Sequence, residues 1–102
     1  MKKHWRQGDV LFTAIKSAPK GERKARPDGI VMHGEVTGHA HRVADLAKTE
    51  LYDMGDRCFL AVSGDGVSIV HEEHATIVLP KGYYQITRQR EYSPGEIRNV
   101  LD

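Results

Sequence analysis

Residues 57–71 run Arg57-Cys58-Phe59-Leu60-Ala61-Val62-Ser63-Gly64-Asp65-Gly66-Val67-Ser68-Ile69-Val70-His71. Two short apolar runs, rich in β-branched and aromatic residues, flank Ser63-Gly64-Asp65-Gly66, and that tetrapeptide is a turn signal. Each run has the length of a strand and is too short for a stable helix. The same grammar repeats outward. Glu50 to Met54 joins Arg57 to Ser63 as a hairpin about Gly55-Asp56. Asp9 to Ile15 is a strand that opens after Gly8, and Ile30 to Val43 is one or two strands in which Gly34 and Gly38 mark bulges or a close backbone approach. Ala44 to Lys48 has the length of one helical turn. Ala75 to Leu79 is closed by Pro80-Lys81-Gly82, and Tyr83 to Tyr92 is the last long strand. Ser93 as cap, Pro94 at the first helical position and Glu96 three after the cap predict one short C-terminal helix, with Ile97, Val100 and Leu101 on one face. The expected fold is mostly β: a single small β-barrel or β-sandwich of about seven or eight short strands with that one helix.

Bulk properties agree with one globular domain over 1–102. The chain has 102 residues, 39% hydrophobic and 28% charged. A net charge of +1 disfavours a protein built to hold duplex nucleic acid by neutralising phosphates. The lone cysteine, Cys58, cannot form an intrachain disulfide and sits in an apolar run, which reads as a buried small hydrophobe in a reducing compartment. No segment approaches the ~18 apolar residues of a membrane span, and no apolar stretch of signal-peptide character follows Met1-Lys2-Lys3-His4-Trp5-Arg6, so a cytoplasmic location is expected. Residues 17–29 carry Pro19, Gly21, Pro27 and Gly29 among Lys20, Arg23, Lys24 and Arg26, and predict a flexible basic loop, either a solvated linker or an anion-binding flap.

Six histidines in a chain of this length are many, and four of them fall in pairs. His39-Ala40-His41 puts two imidazoles on one face of a strand, because alternate residues point the same way. His71-Glu72-Glu73-His74 is the second pair. His71 shares parity with Val67 and Ile69, while His74 returns to the same side only if Glu72-Glu73 forms a turn or bulge. If the strand ending near Val43 neighbours the strand ending at His71, three or four imidazoles converge. Neutral imidazole binds zinc, nickel, copper and ferrous iron, so His39, His41, His71 and His74 are the candidate ligands. Glu35, Glu72 or Glu73 can add a carboxylate ligand, and Glu72 or Glu73 can instead serve as general base or orient an imidazole from behind. Set against this, single histidines are more often surface or satisfied core residues than ligands, and two glutamates between histidines also make an ordinary charged turn. His4 is expected in a frayed terminus and His33 beyond a glycine bend.

Gly34 followed by His39-Ala40-His41 resembles the start of the first motif of the cupins, a family of small β-barrels, and Pro80-Lys81-Gly82 is similar to the Pro-x-Gly turn of their second motif. The resemblance implies a barrel with a metal inside, held by an HxH pair, a glutamate and a later histidine. Gln85 stands where that later histidine falls, and His71 and His74 come before the turn instead. The stretch from His71 to Pro94 also resembles small uncharacterised bacterial proteins, which implies no function.

Three functions remain open. The first is a metal-binding protein, an enzyme or small-molecule sensor using zinc, nickel, manganese or iron. The second is a metal-independent, RNase-like phosphodiesterase in which paired histidines act as acid and base and Lys81, Arg88 or Arg90 stabilises the phosphorane. The third is a non-catalytic binding module in which the basic loop, Arg88 and Arg90 contact nucleic acid or an acidic partner and Tyr83, Tyr84 and Tyr92 stack on bases. A homodimer through an edge strand is compatible with each.

Overall fold

The computed structural model describes residues 3–34 and 38–89, and the predicted helix at 93–101 and the candidate ligand Glu35 lie outside them. Ten strands occur among the described residues: β1 (His4–Gln7), β2 (Val10–Ile15), β3 (Lys24–Ala25), β4 (Ile30–His33), β5 (Ala40–Val43), β6 (Thr49–Met54), β7 (Arg57–Val62), β8 (Val67–Val70), β9 (Ile77–Leu79) and β10 (Gly82–Arg88). They form two open antiparallel sheets, one ordered β1-β2-β10-β7-β6-β3 and the other β4-β5-β8-β9. Neither sheet closes on itself. The expected cupin-like barrel is therefore wrong: among the described residues the strand order leaves β1 and β3 as the outer strands of one sheet and β4 and β9 as those of the other. No α-helix occurs among the described residues. The helical turn expected at 44–48 is a 3-10 turn over Leu46–Lys48, capped by Asp45, whose Oδ1 accepts from the Ala47 N–H at 3.0 Å.

Why two layers form can be followed in the register. In the first sheet Val10, Phe12, Tyr84, Ile86, Cys58, Leu60, Val62 and Leu51 alternate onto one face and are buried. From the other sheet come Val31, Val43, Val67, Ile69 and Leu79. Interdigitation of these two faces is the core, and each fully buried large side chain contributes about 1.5–3 kcal/mol. The chain crosses from one layer to the other at Ser63–Gly66, between β7 and β8. Gly66 has φ +110°, and a Cβ there would lie 2.8 Å from the Leu79 carbonyl oxygen, so only glycine admits the crossing. The turn signal of the sequence is thus a passage between sheets.

Two hairpins use the same dipeptide. Gly55-Asp56 joins β6 to β7, with Met54 opposite Arg57, as the sequence predicts. Gly8-Asp9 joins β1 to β2, with Gln7 opposite Val10, so the N-terminal segment expected to fray is an edge strand. Residues 17–29 contain β3, which pairs with β6, and Arg23 stacks 4.1 Å over the Tyr52 ring on the reverse of the large sheet. Residues 30–43 form two strands, and β5 pairs with β8 through Arg42 opposite Val70 and Val43 opposite Ile69.

Candidate metal centre

That last register delivers the histidines. Continuing the antiparallel ladder by one residue sets His41 across from His71, and their ring centroids lie 4.4 Å apart. His39, two residues earlier on the same face, comes edge-on to His71 at 5.8 Å. Beyond β8 the backbone bends through residues 72–74, and this returns His74 to within 4.6 Å of the His71 ring and 6.0 Å of the His41 ring. The side chains of His39, His71 and Glu72 each present a ligand atom, all within 4.8 Å of one another. This His/His/Glu group can coordinate a metal ion.

Each imidazole is held differently. His41 is 1% exposed and rests on Gln7, itself 2% exposed. The Gln7 Nε2 donates both its protons, to the Ile69 carbonyl at 2.8 Å and the Ala75 carbonyl at 2.9 Å, so its oxygen faces His41 Nδ1, 2.8 Å away. An amide oxygen only accepts, so Nδ1 carries the proton and Nε2 keeps its lone pair. Burial first, and then the neighbouring His71, push the His41 pKa down to about 4. The ring is therefore neutral at physiological pH, the form that binds metals. His71 Nδ1 accepts the Glu73 backbone N–H at 3.0 Å, so ligation by His71 requires that bond to be released or the ring to flip. His39 Nδ1 is buried with no hydrogen-bond partner among the described residues, 3.6 Å from Glu73 Oε2. His74 is exposed and lies against Gly8, where a Cβ would sit 2.5 Å from its Nε2. Gly8 is thus needed for its φ of +60°, and its missing Cβ leaves room for the tip of the His74 ring.

The two predicted carboxylates differ. Glu72 Oε1 accepts the Ala40 N–H at 2.9 Å and Oε2 pairs with Arg42 at 2.5 Å, and these bonds, the Arg42 one first, hold its pKa down at about 2. It ties the turn to β5 and is a weak proton acceptor near neutral pH. Glu73, with a side chain 60% exposed, has no such tether.

Local sequence patterns miss the other half of the site. Gln7, Gly8 and Asp9 come from the β1–β2 turn, and Asp9 Oδ1 lies 3.6 Å from His41 Nε2. Arg88, at the end of β10, places Nε 3.0 Å from Asp9 Oδ2 and bonds the His33 carbonyl. The Gly8-Asp9 turn dipeptide is the one sequence signal that points to this hairpin. His4 and His33 stand outside the ring cluster: His4 Nδ1 lies 3.0 Å from the Thr13 hydroxyl, and the His33 side chain is exposed.

The features behind the other two functions are scattered. Lys81 precedes β10 and Arg88 ends it, which separates them by roughly 20 Å. Arg23 pairs with Glu50, Arg26 with Asp53 and Arg88 with Asp9. Tyr84 is 2% exposed and Tyr83 39% exposed, while Arg90 and Tyr92 lie outside the described residues. No helix among the described residues is long and apolar enough to cross a membrane.

The chain belongs to the family described as a domain of unknown function (DUF8820), whose model matches residues 6–89. No curated protein and no solved structure matches it. The cupin resemblance thus fails on family as well as on strand order.

Proposed function

We propose that this domain binds a divalent first-row metal ion, zinc, nickel, manganese or iron, at its histidine cluster. The observation that supports it is the gathering of His39, His71 and Glu72 ligand atoms within 4.8 Å of one another. Imidazole nitrogen with a carboxylate oxygen suits these ions. His39 and His71 are the principal ligands, His41 and His74 flank them, and Glu72 sets the distance between turn and strand. Two half-buried imidazoles and one exposed carboxylate leave positions open to solvent, which is the arrangement of a site that takes a small ligand or activates a water. Glu73, beside His39, is the base that would receive the proton of such a water.

Elemental analysis of protein purified without a histidine tag, with thermal melts in zinc, nickel, manganese and ferrous iron, tests this. A metal present at a hundredfold its dissociation constant stabilises by about 2.7 kcal/mol, and chelator reverses the gain. Absence of bound metal together with unchanged melts removes the proposal. RNA cleavage that ignores chelator would support the phosphodiesterase instead.

A further inference from the structure

His41 Nε2 and Asp9 Oδ1 face each other across 3.6 Å. Neither atom has a hydrogen-bond donor or acceptor among the described residues, although His41 is 1% exposed. An imidazolium and a carboxylate in direct contact close to about 2.7–2.9 Å, so this gap is too wide for a hydrogen bond. It has another natural length. Two ligands about 2.1 Å from one tetrahedral ion are about 3.4 Å apart, against about 3.0 Å at right angles on an octahedral ion. Both atoms are also held in aim. Gln7 fixes the His41 tautomer with the lone pair on Nε2, and the Arg88 guanidinium is ion-paired at 3.0 Å with the other Asp9 oxygen, without the alignment of a hydrogen bond, which leaves Oδ1 toward His41. Fixed partners behind each ligand are what metal sites require.

We infer that His41 Nε2 and Asp9 Oδ1 form a second, inner metal position for a tetrahedral divalent ion such as zinc. His74 completes it. Its ring lies against Gly8, next to Asp9, and runs parallel to His41 within 9° at 6.0 Å. Its nitrogens are not gathered with the other two ligand atoms as the ring stands, so ligation requires the exposed side chain to rotate. Glu73 and His39 show the same 3.6 Å spacing, but no second partner among the described residues fixes the exposed Glu73 carboxylate. The inner position rests on its own residues, not on His39, His71 and Glu72.

Zinc titration, read by equilibrium competition with a chromophoric chelator and by the visible spectrum of the cobalt-substituted protein, separates the two. The full chain is expected to take two equivalents. Asp9→Asn, which keeps the size of the side chain and an oxygen for Arg88, should weaken one equivalent by at least about a hundredfold and remove one tetrahedral cobalt signature. His39→Ala should remove the other equivalent. Should Asp9→Asn fail to fold, His74→Asn at an exposed position is expected to weaken the same inner equivalent by at least about tenfold. A single equivalent that resists Asp9→Asn but not His39→Ala overturns the inner position and leaves the proposed function standing. A single equivalent with the opposite sensitivity keeps the inner position and overturns the outer set. No bound metal overturns both.

Discussion

The molecule gathers polar side chains at two places, and they are built on opposite principles. At the β3–β6 edge, Arg26 donates Nε and one terminal nitrogen to the two oxygens of Asp53 at 2.7 and 2.8 Å. Its remaining terminal nitrogen reaches the Ile30 carbonyl at 3.1 Å and the Val31 carbonyl at 2.8 Å. Four of the five guanidinium donors are thus used, and the bonds join β6 of one sheet to β4 of the other. At the histidine end the accounting stays open. Among the described residues, His39 Nδ1 and Arg88 Nε are buried with no hydrogen-bond partner, and His41 Nε2 faces a carboxylate it does not reach. Unsatisfied buried polar atoms cost about 1–3 kcal/mol each, so a fold keeps them where something else uses them. A closed network welds the layers and an open one is poised for a ligand.

The largest effect should come from emptying the open network. Replacing His39 and His71 together by Ala is expected to lower affinity at the outer position by more than about a thousandfold, the sum of two ligands at over about 2 kcal/mol each. The metal-free protein should lose only about 1 kcal/mol, because both rings are partly exposed. Isothermal titration and chelated thermal melts measure the two numbers. A large loss of metal-free stability with metal uptake intact would show that the rings are packing, and the contrast would fail.

Next comes the closed network. Arg26→Ala leaves Asp53 and two carbonyls without their donor, in surroundings that are only about two-thirds buried. A loss of about 2–3 kcal/mol is expected, or roughly 10–20 °C in melting temperature, with metal uptake unchanged. A melt within about 2 °C of the parent would refute the clamp.

A pH series sharpens the same point. The Arg26 hydrogen bond holds the Asp53 carboxyl below its ordinary range. Its folded value is depressed, so its stabilisation is complete above the unfolded value of about 3.9 and is lost as pH falls through the folded value. The stability gap between parent and Arg26→Ala should stay constant from pH 7 to about 5 and shrink below about 4. Glu72, held at about 2 by Arg42, titrates in the same range but is present in both proteins and cancels. A gap that shrinks between pH 7 and 5 would mean that some other group carries it.

What the sequence showed, and what it hid, follows the same division. Parity in His39-Ala40-His41 is a property of any strand, and the ladder between β5 and β8 realised it. The hairpin at Gly55-Asp56 was legible because the turn dipeptide stands between the apolar residues Leu51, Tyr52 and Met54 and the apolar run Cys58 to Val62. The same dipeptide at 8–9 was not, because β1 reads His-Trp-Arg-Gln and its buried member is Gln7, which no hydrophobic pattern marks. Arg26 looked like one more loop cation, since its partner stands 27 residues away. Barrel closure failed for a related reason. An HxH and a Pro-x-Gly turn are local features, whereas closure depends on which strands become neighbours.

The smallest effect is expected at Cys58, and it tests the closed end from inside. Cys58 is 7% exposed and pairs across the β6–β7 ladder with Asp53. Burial pushes its thiol up to about 11, so at pH 8 only about one molecule in a thousand carries the reactive thiolate, and that one is shielded. A disulfide reagent should therefore give no measurable labelling of the native protein over minutes and complete labelling in denaturant. Residual labelling then reports opening events, and its rate follows the opening equilibrium. Arg26→Ala should raise that rate about 30-fold for each 2 kcal/mol lost, whereas His39→Ala should leave it nearly unchanged, because the histidine cluster does not weld the sheets. Equal acceleration by both variants would mean that the two polar sites share one structural role.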